Sequence, residues 1–363
     1  MRPVRGMRFV AVAASAGLIL TAAACGQAPD TTTPGGSPSA APKYTACMVT
    51  DQGGLDDKSF NASAWKGLEA ARDDASTNIE IKNTASTTAA DYEPNLTAYV
   101  NQDCDFILAV GGLMGDATQK IAAANPTQQF GIVDAKLAAT NVFPMQFDTA
   151  QAAFLAGYLA AGYSKTGKVG TFGGLNIPPV TIFMDGFADG VKHYNTVKGK
   201  NVQVLGWDKA KQDGLFAQDF ASPPKGKQLT DTLVAQGADI IFPVAGGTGL
   251  GAAEGSAANP GKFATIWVDV DGCTSTQYCA GLLTTVVKNI PDAVRDAVLK
   301  GAKGESLDAS AGTIGTLANN GVSIAPYHDF DSKIDAALKA EVDKLKADII
   351  AGTIKVESPS QPK

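Results

Sequence analysis

Residues 239–251 read DIIFPVAGGTGLG. A short apolar run closed by glycines reads as a strand buried on both faces that runs into a tight turn. The same unit recurs outward along the chain. KVGTFGG (168–174), VQVLG (202–206) and TIWVDVD (265–271) belong to the same series, and YTACMVT (44–50), IEIKNT (79–84), DFILAVG (105–111) and FGIVD (130–134) form an earlier one. Helical patterns separate the strands. This alternation specifies an α/β fold with open, doubly wound parallel sheets, and two series imply two Rossmann-like lobes.

Such sheets bind ligands just beyond the carboxyl ends of their strands. The strand ends here are Asp51, Gly111, Asp134, Gly173, Gly246 and Asp269. A single acid at such a place is ordinarily a helix cap or a solvated loop charge. Three carboxylates at three strand ends point instead to a polar ligand.

The chain has 363 residues, enough for two domains, and 45% of them are hydrophobic. The formal net charge is −6, which argues against nucleic acid as a partner. His193 and His328 are the two histidines, so a multi-histidine metal site is excluded. No P-loop occurs, and no metal or cofactor is expected.

The amino terminus reads as an address. Arg2, Arg5 and Arg8 precede the apolar run FVAVAASAGLILTAAA (9–24), which is shorter than the about 20 residues of a spanning helix. The small residues before Cys25, and Gly26 after it, resemble a bacterial lipobox, with Ala22 where leucine is usual. Residues 1–24 therefore read as a signal peptide and Cys25 as the lipidation site. Residues 25–43, rich in Pro, Gly, Ser and Thr, read as the anchor and a flexible linker. The expected location is the extracytoplasmic face of the cell membrane. Outside the cytosol, Cys47, Cys104, Cys273 and Cys279 are expected to form two disulfides. Cys273 and Cys279 lie close enough in sequence to pair locally, which would leave Cys47 for Cys104; the other pairings stay open.

A rival motif sits in the opening stretch. Gly247-Thr248-Gly249-Leu250-Gly251-Ala252 fits G-x-G-x-x-A after a strand, with Asp269 twenty residues beyond Gly249. That is a dinucleotide fingerprint, and it makes an NAD-dependent oxidoreductase a remote alternative. Export from the cytoplasm and the lack of a catalytic set near either histidine argue against an enzyme.

VTDQGGLDDKSFNASAWKG (49–67) resembles the opening motif of the basic membrane protein family, the purine-nucleoside-receptor type of substrate-binding lipoprotein. The likeness continues through FGIVD (130–134), AAFLAGYLAAGYSKTGKVGTFGGLNIPPV (152–180), FMDGFADGV (183–191), PVAGGTGLG (243–251) and TTVVKN (284–289). The resemblance implies a type I periplasmic-binding fold, two lobes joined by a hinge, with a nucleoside in the interlobe cleft and an ABC-type permease as partner. It implies that Asp51 contacts the ligand, that Phe60 stacks on the base beside Asn61, and that Asp134 bonds the base edge. Phe220 falls at the second aromatic position, with Phe216 nearby. Gly246 and Gly247 would admit close backbone. Asp269 would take the ribose hydroxyls with Lys288, and Asp271 is the rival for that role. Ser222 stands where the family usually has aspartate, and Thr285 where it has serine. The expected lobes are 44–148 plus 271–308 and 149–270 plus 309–357, in a monomer. A surface lipoprotein that senses its ligand is the alternative on the same fold.

Overall fold

The computed structural model describes residues 43–362; the expected signal peptide, Cys25 and nearly all of the linker lie outside them. The first part of the chain runs β1 (Lys43–Thr50), α1 (Phe60–Arg72), β2 (Asn78–Ala85), α2 (Tyr92–Val100), β3 (Phe106–Val110), α3 (Gly115–Ala124), β4 (Gln129–Val133) and β5 (Val142–Phe147). The second part runs α4 (Thr149–Tyr163), β6 (Lys168–Gly173), α5 (Pro178–Lys198), β7 (Gln203–Leu205), a small hairpin of β8 (Trp207–Asp208) and β9 (Asp213–Gly214), α6 (Pro223–Ala235), β10 (Ile240–Val244), α7 (Leu250–Ala258), β11 (Ala264–Asp269), α8 (Gly272–Ser275) and β12 (Leu282–Lys288). The chain ends with α9 (Ile290–Ala302), β13 (Thr313–Gly315), β14 (Val322–Ile324) and α10 (Ala336–Ile350).

Two six-stranded sheets result. Their orders are β13-β5-β4-β3-β1-β2 and β14-β12-β11-β10-β6-β7. All neighbours are parallel except β14, which runs antiparallel to β12. Every residue of β3 and of β10 is buried, as central parallel strands covered by helices on both faces must be. Strand order reverses between β1 and β3 in the first sheet and between β6 and β10 in the second. Both switch points open toward the same cleft, where this architecture places ligands.

Sheet membership corrects the expected lobe boundaries. Residues 282–288 pair with β11 and lie in the second sheet, not in the first lobe. The chain returns at Asn289, and α9 packs on α1 so closely that a Cβ at Gly67 would stand 2.6 Å from the Pro291 carbonyl oxygen. Residues 313–315 pair with β5 in the first sheet. β12 pairs with β11 across a register shift between Thr265 and Ile266, its residues nearly all buried, and β13 is a short strand completing an edge of the first sheet. The chain thus passes between sheets near 147–149, 288–290 and 315–322.

The disulfides are Cys47–Cys104 and Cys273–Cys279. The first ties β1 to the entrance of β3. No helix among the described residues is long and apolar enough to cross a membrane.

Candidate ligand-binding cleft

α1 begins at Phe60, and its N-terminus shapes one wall of the cleft. Ser59 occupies the N-cap position, but its side chain makes no capping bond. Asp57 takes that role, accepting from the backbone N–H groups of Ser59 at 3.0 Å, Asn61 at 2.7 Å and Ala62 at 3.2 Å. The Ser59 hydroxyl is thereby free to donate to Asp269 Oδ2 at 2.5 Å, a bond between the two lobes.

Asp51, Phe60, Asn61, Asp134, Phe220, Gly246, Gly247, Asp269 and Lys288 all line one cleft, together with Asp57, Phe183 and Pro179. The cleft encloses about 570 Å³ of atom-free space, part of it continuous with solvent. Asp51 follows β1 and accepts from Asn61 Nδ2 at 3.0 Å. The neighbouring strand end must be glycine: any Cβ at Gly111, whose φ is +117°, would overlap the Asp51 carboxylate. Burial pushes the Asp51 carboxyl up to about 8, with Asp57 and Asp134 adding to the rise and Asn61 and Lys288 opposing it. Burial also raises Asp57 and Asp134, and lifts Asp269 to about 6 against the pull of Lys288 and Ser59.

Asp134 and Asp269 occupy equivalent places. Asp134 directly follows β4 and Asp269 ends β11, in each sheet the strand one beyond the switch point, and each has a left-handed backbone, φ +66° and +68°. Aspartate tolerates that conformation better than most residues, and such strain collects at functional sites. Lys288 ends β12 and is almost wholly buried. It was expected beside Asp269, but its ion pair is with Asp134. Its ammonium also stands 4.9 Å from the ring centre of Phe60 and 5.4 Å from that of Phe183.

Phe220 reaches the cleft over Gly174, where a Cβ would overlap the ring. Phe216 instead packs edge-on against Trp207 and does not line the cleft. Asp271 is also outside it. Two residues past the strand end, its side chain caps the Cys273 N–H and bonds His328 Nε2 at 2.7 Å. Asp271, Cys273 and His328 come together, but the disulfide removes Cys273 as a metal ligand. Of the glycines in the dinucleotide-like stretch, Gly247 lines the cleft, while the next two serve packing: Gly251 lies on the Pro223 carbonyl of α6, and a Cβ at Gly249 would stand 3.1 Å from the Trp267 ring. Asp57, Phe183 and Pro179 were missed by sequence reasoning. Asp57 lies in the turn before α1, off the N-cap position itself, so no cap signal marks it in the sequence.

The family described as ABC transporter substrate-binding protein PnrA-like matches residues 44–360. The chain belongs to this family. It is a substrate-binding protein of an ABC transporter and not an enzyme. A Listeria monocytogenes protein, the CD4+ T-cell-stimulating antigen, is 32% identical over 335 residues, 88% of this chain and 89% of its own. The Lactococcus lactis ABC transporter nucleoside-binding protein BmpA is 30% identical over 331 residues, 86% of this chain and 89% of its own. An ABC transporter solute-binding protein from Aeropyrum pernix K1 has the same fold, with a TM-score of 0.75 at 23% identity, covering 88% of this chain and 94% of that one.

Proposed function

We propose that the protein captures nucleosides, purine nucleosides foremost, outside the cytoplasm and delivers them to an ABC-type permease while held to the membrane by a lipid on Cys25. The observation that carries this is the composition of one cleft: Phe60 and Phe220, from opposite lobes, beside the buried carboxylates Asp51, Asp57, Asp134 and Asp269. Aromatic rings offer stacking worth ~1–3 kcal/mol per base. Carboxylates accept strong, charge-assisted bonds from a ribose diol or a base N–H. The cationic side chain lining the cleft, Lys288, is already paired with Asp134, so the acidic lining opposes a phosphate. A neutral nucleoside fits that balance where a nucleotide does not. The name of the Lactococcus relative supports the same substrate class.

Binding would work as a hinged clamp about the three crossings, the ligand bridging the lobes and drawing them closed. Titration calorimetry with adenosine, guanosine, uridine and AMP tests the substrate. Nucleosides are expected to bind at micromolar affinity or tighter, and AMP far more weakly. No heat with any nucleoside overturns the reading. For the anchor, Cys25→Ser should leave the membrane fraction of the native host, and a variant that stays there refutes lipidation at Cys25.

A further inference from the structure

The segment FMDGFADGV contributes Phe183 to the cleft, but its two carboxylates do not line it. Asp185 and Asp189 lie one turn apart on α5, so they share a face. Asp185 is wholly buried. Its Oδ1 accepts from Trp207 Nε1 at 3.0 Å and Gln212 Nε2 at 2.9 Å, and its Oδ2 from the Ser358 hydroxyl at 2.6 Å. Asp189 pairs with Lys209 at 2.7 Å. Trp207, Lys209 and Gln212 all belong to the β8–β9 hairpin, so both carboxylates hold the same short loop.

The glycines of the same segment seat the helix. Cβ atoms at Gly186 and Gly190 would overlap the carbonyl oxygens of Ala150 and Phe154 on α4. The carboxylates therefore stand on a helix packed backbone against backbone on its neighbour. From the hairpin the chain runs along the end of β6. The Leu215 N–H donates to the Gly206 carbonyl at 2.8 Å, the Ala217 N–H to Gly173 at 2.9 Å, and the Asp219 N–H to Gly174 at 3.3 Å. The next residue is Phe220, whose ring rests on Gly174.

We infer that Asp185 and Asp189 are positioning residues: by clamping the β8–β9 hairpin to α5 they fix the path of 213–219 and so the place of Phe220 in the cleft. The choice of ligand in the test rests on the nucleoside reading; the clamp itself does not. A carboxylate that only stabilised the fold would lower the melting temperature without acting through Phe220.

The full chain is compared with Gln212→Ala and Lys209→Met, which keep the Asp185 carboxylate and its bonds from Trp207 and Ser358, and with Asp185→Asn. Amide hydrogen exchange of the ligand-free protein should quicken several-fold across 213–221 in the first two variants and stay unchanged in β3. Affinity for adenosine and for adenine should fall by the same factor, about threefold to tenfold. In a Phe220→Ala background the same substitutions should cause no further loss. Unchanged exchange across 213–221 in both Gln212→Ala and Lys209→Met overturns the clamp, as does an equal affinity loss when Phe220 is absent. If the unaltered protein binds no nucleoside, the functional proposal falls, and the exchange result alone decides the clamp.

Discussion

Asp269 has two claimants. In this structure the Ser59 hydroxyl bonds it across the cleft, and a ribose diol would compete for the same carboxylate. Asp269→Ala should weaken nucleoside binding about tenfold to a hundredfold, the usual worth of a charged hydrogen bond, and leave the free base nearly unaffected. Calorimetry with adenosine and adenine separates the two, and an unchanged adenosine affinity would remove Asp269 from the site. Asp51 sets a pH dependence. Its folded-state value of about 8 lies above the ordinary 3.8 because of burial, so between those values the folded chain keeps a proton that the unfolded chain has lost. That contribution to stability is full below about pH 4, erodes as pH rises toward 8 and is flat beyond. The melting temperature of the ligand-free protein should therefore fall more steeply from about pH 5 to 8 than that of Asp51→Asn. Parallel curves by scanning calorimetry would refute the buried, proton-holding Asp51. These acids were legible because each ends a strand. Asp57 was not, because what marks it is three backbone N–H groups converging on one carboxylate.

Among the elements, α4 and α5 make the closest approach that the glycines allow. A Cβ at Gly157 would overlap the Phe187 carbonyl, where backbone cannot give way. Gly157→Ala should cost ~1–3 kcal/mol in urea unfolding, the usual range for overpacking. Gly115→Ala is the control. A Cβ there would meet Leu137 at an ordinary 3.6 Å, so its stability should be unchanged or slightly raised. The strands of both series were readable from apolar runs closed by glycine or aspartate. β5 and β12 were not read as strands, because VFPMQF carries a proline and LLTTVVK carries threonines that look solvent-facing. In the fold the Thr284 hydroxyl finds the Ala325 carbonyl and Thr285 receives the Gly272 N–H, so both threonines are buried and satisfied.

At the scale of the whole molecule, the two disulfides close loops of different length, with sequence separations of 57 and 6. By loop entropy the long bridge is worth ~4 kcal/mol and the short one ~2 kcal/mol. Paired Cys47→Ala and Cys104→Ala should therefore lower stability more than paired Cys273→Ala and Cys279→Ala, as read by denaturant midpoint. Equal losses would show that the short bridge does more than close a loop. A nucleoside that bridges the lobes should also reduce the radius of gyration in solution scattering and raise the melting temperature with concentration. A melting temperature that rises with no change in size would mean that the hinge is already closed without ligand.

The order of apolar runs and helical patterns was enough for an α/β chain with two doubly wound sheets, and the strand-end rule was enough to find Asp51, Asp134 and Asp269. These are local properties: burial on both faces imposes an unbroken apolar run, and the carboxyl end of a strand is visible where that run stops. Which acid meets which partner was decided by tertiary structure alone. Lys288 pairs with Asp134 rather than Asp269, Ser59 reaches Asp269 rather than its own helix, and Asp271 turns to His328. The lobe to which residues 282–288 and 313–315 belong was settled the same way. Side-chain partners 154 and 210 residues apart leave no periodicity in the chain, and a strand's sheet is chosen by the neighbours it pairs with, not by its own residues alone.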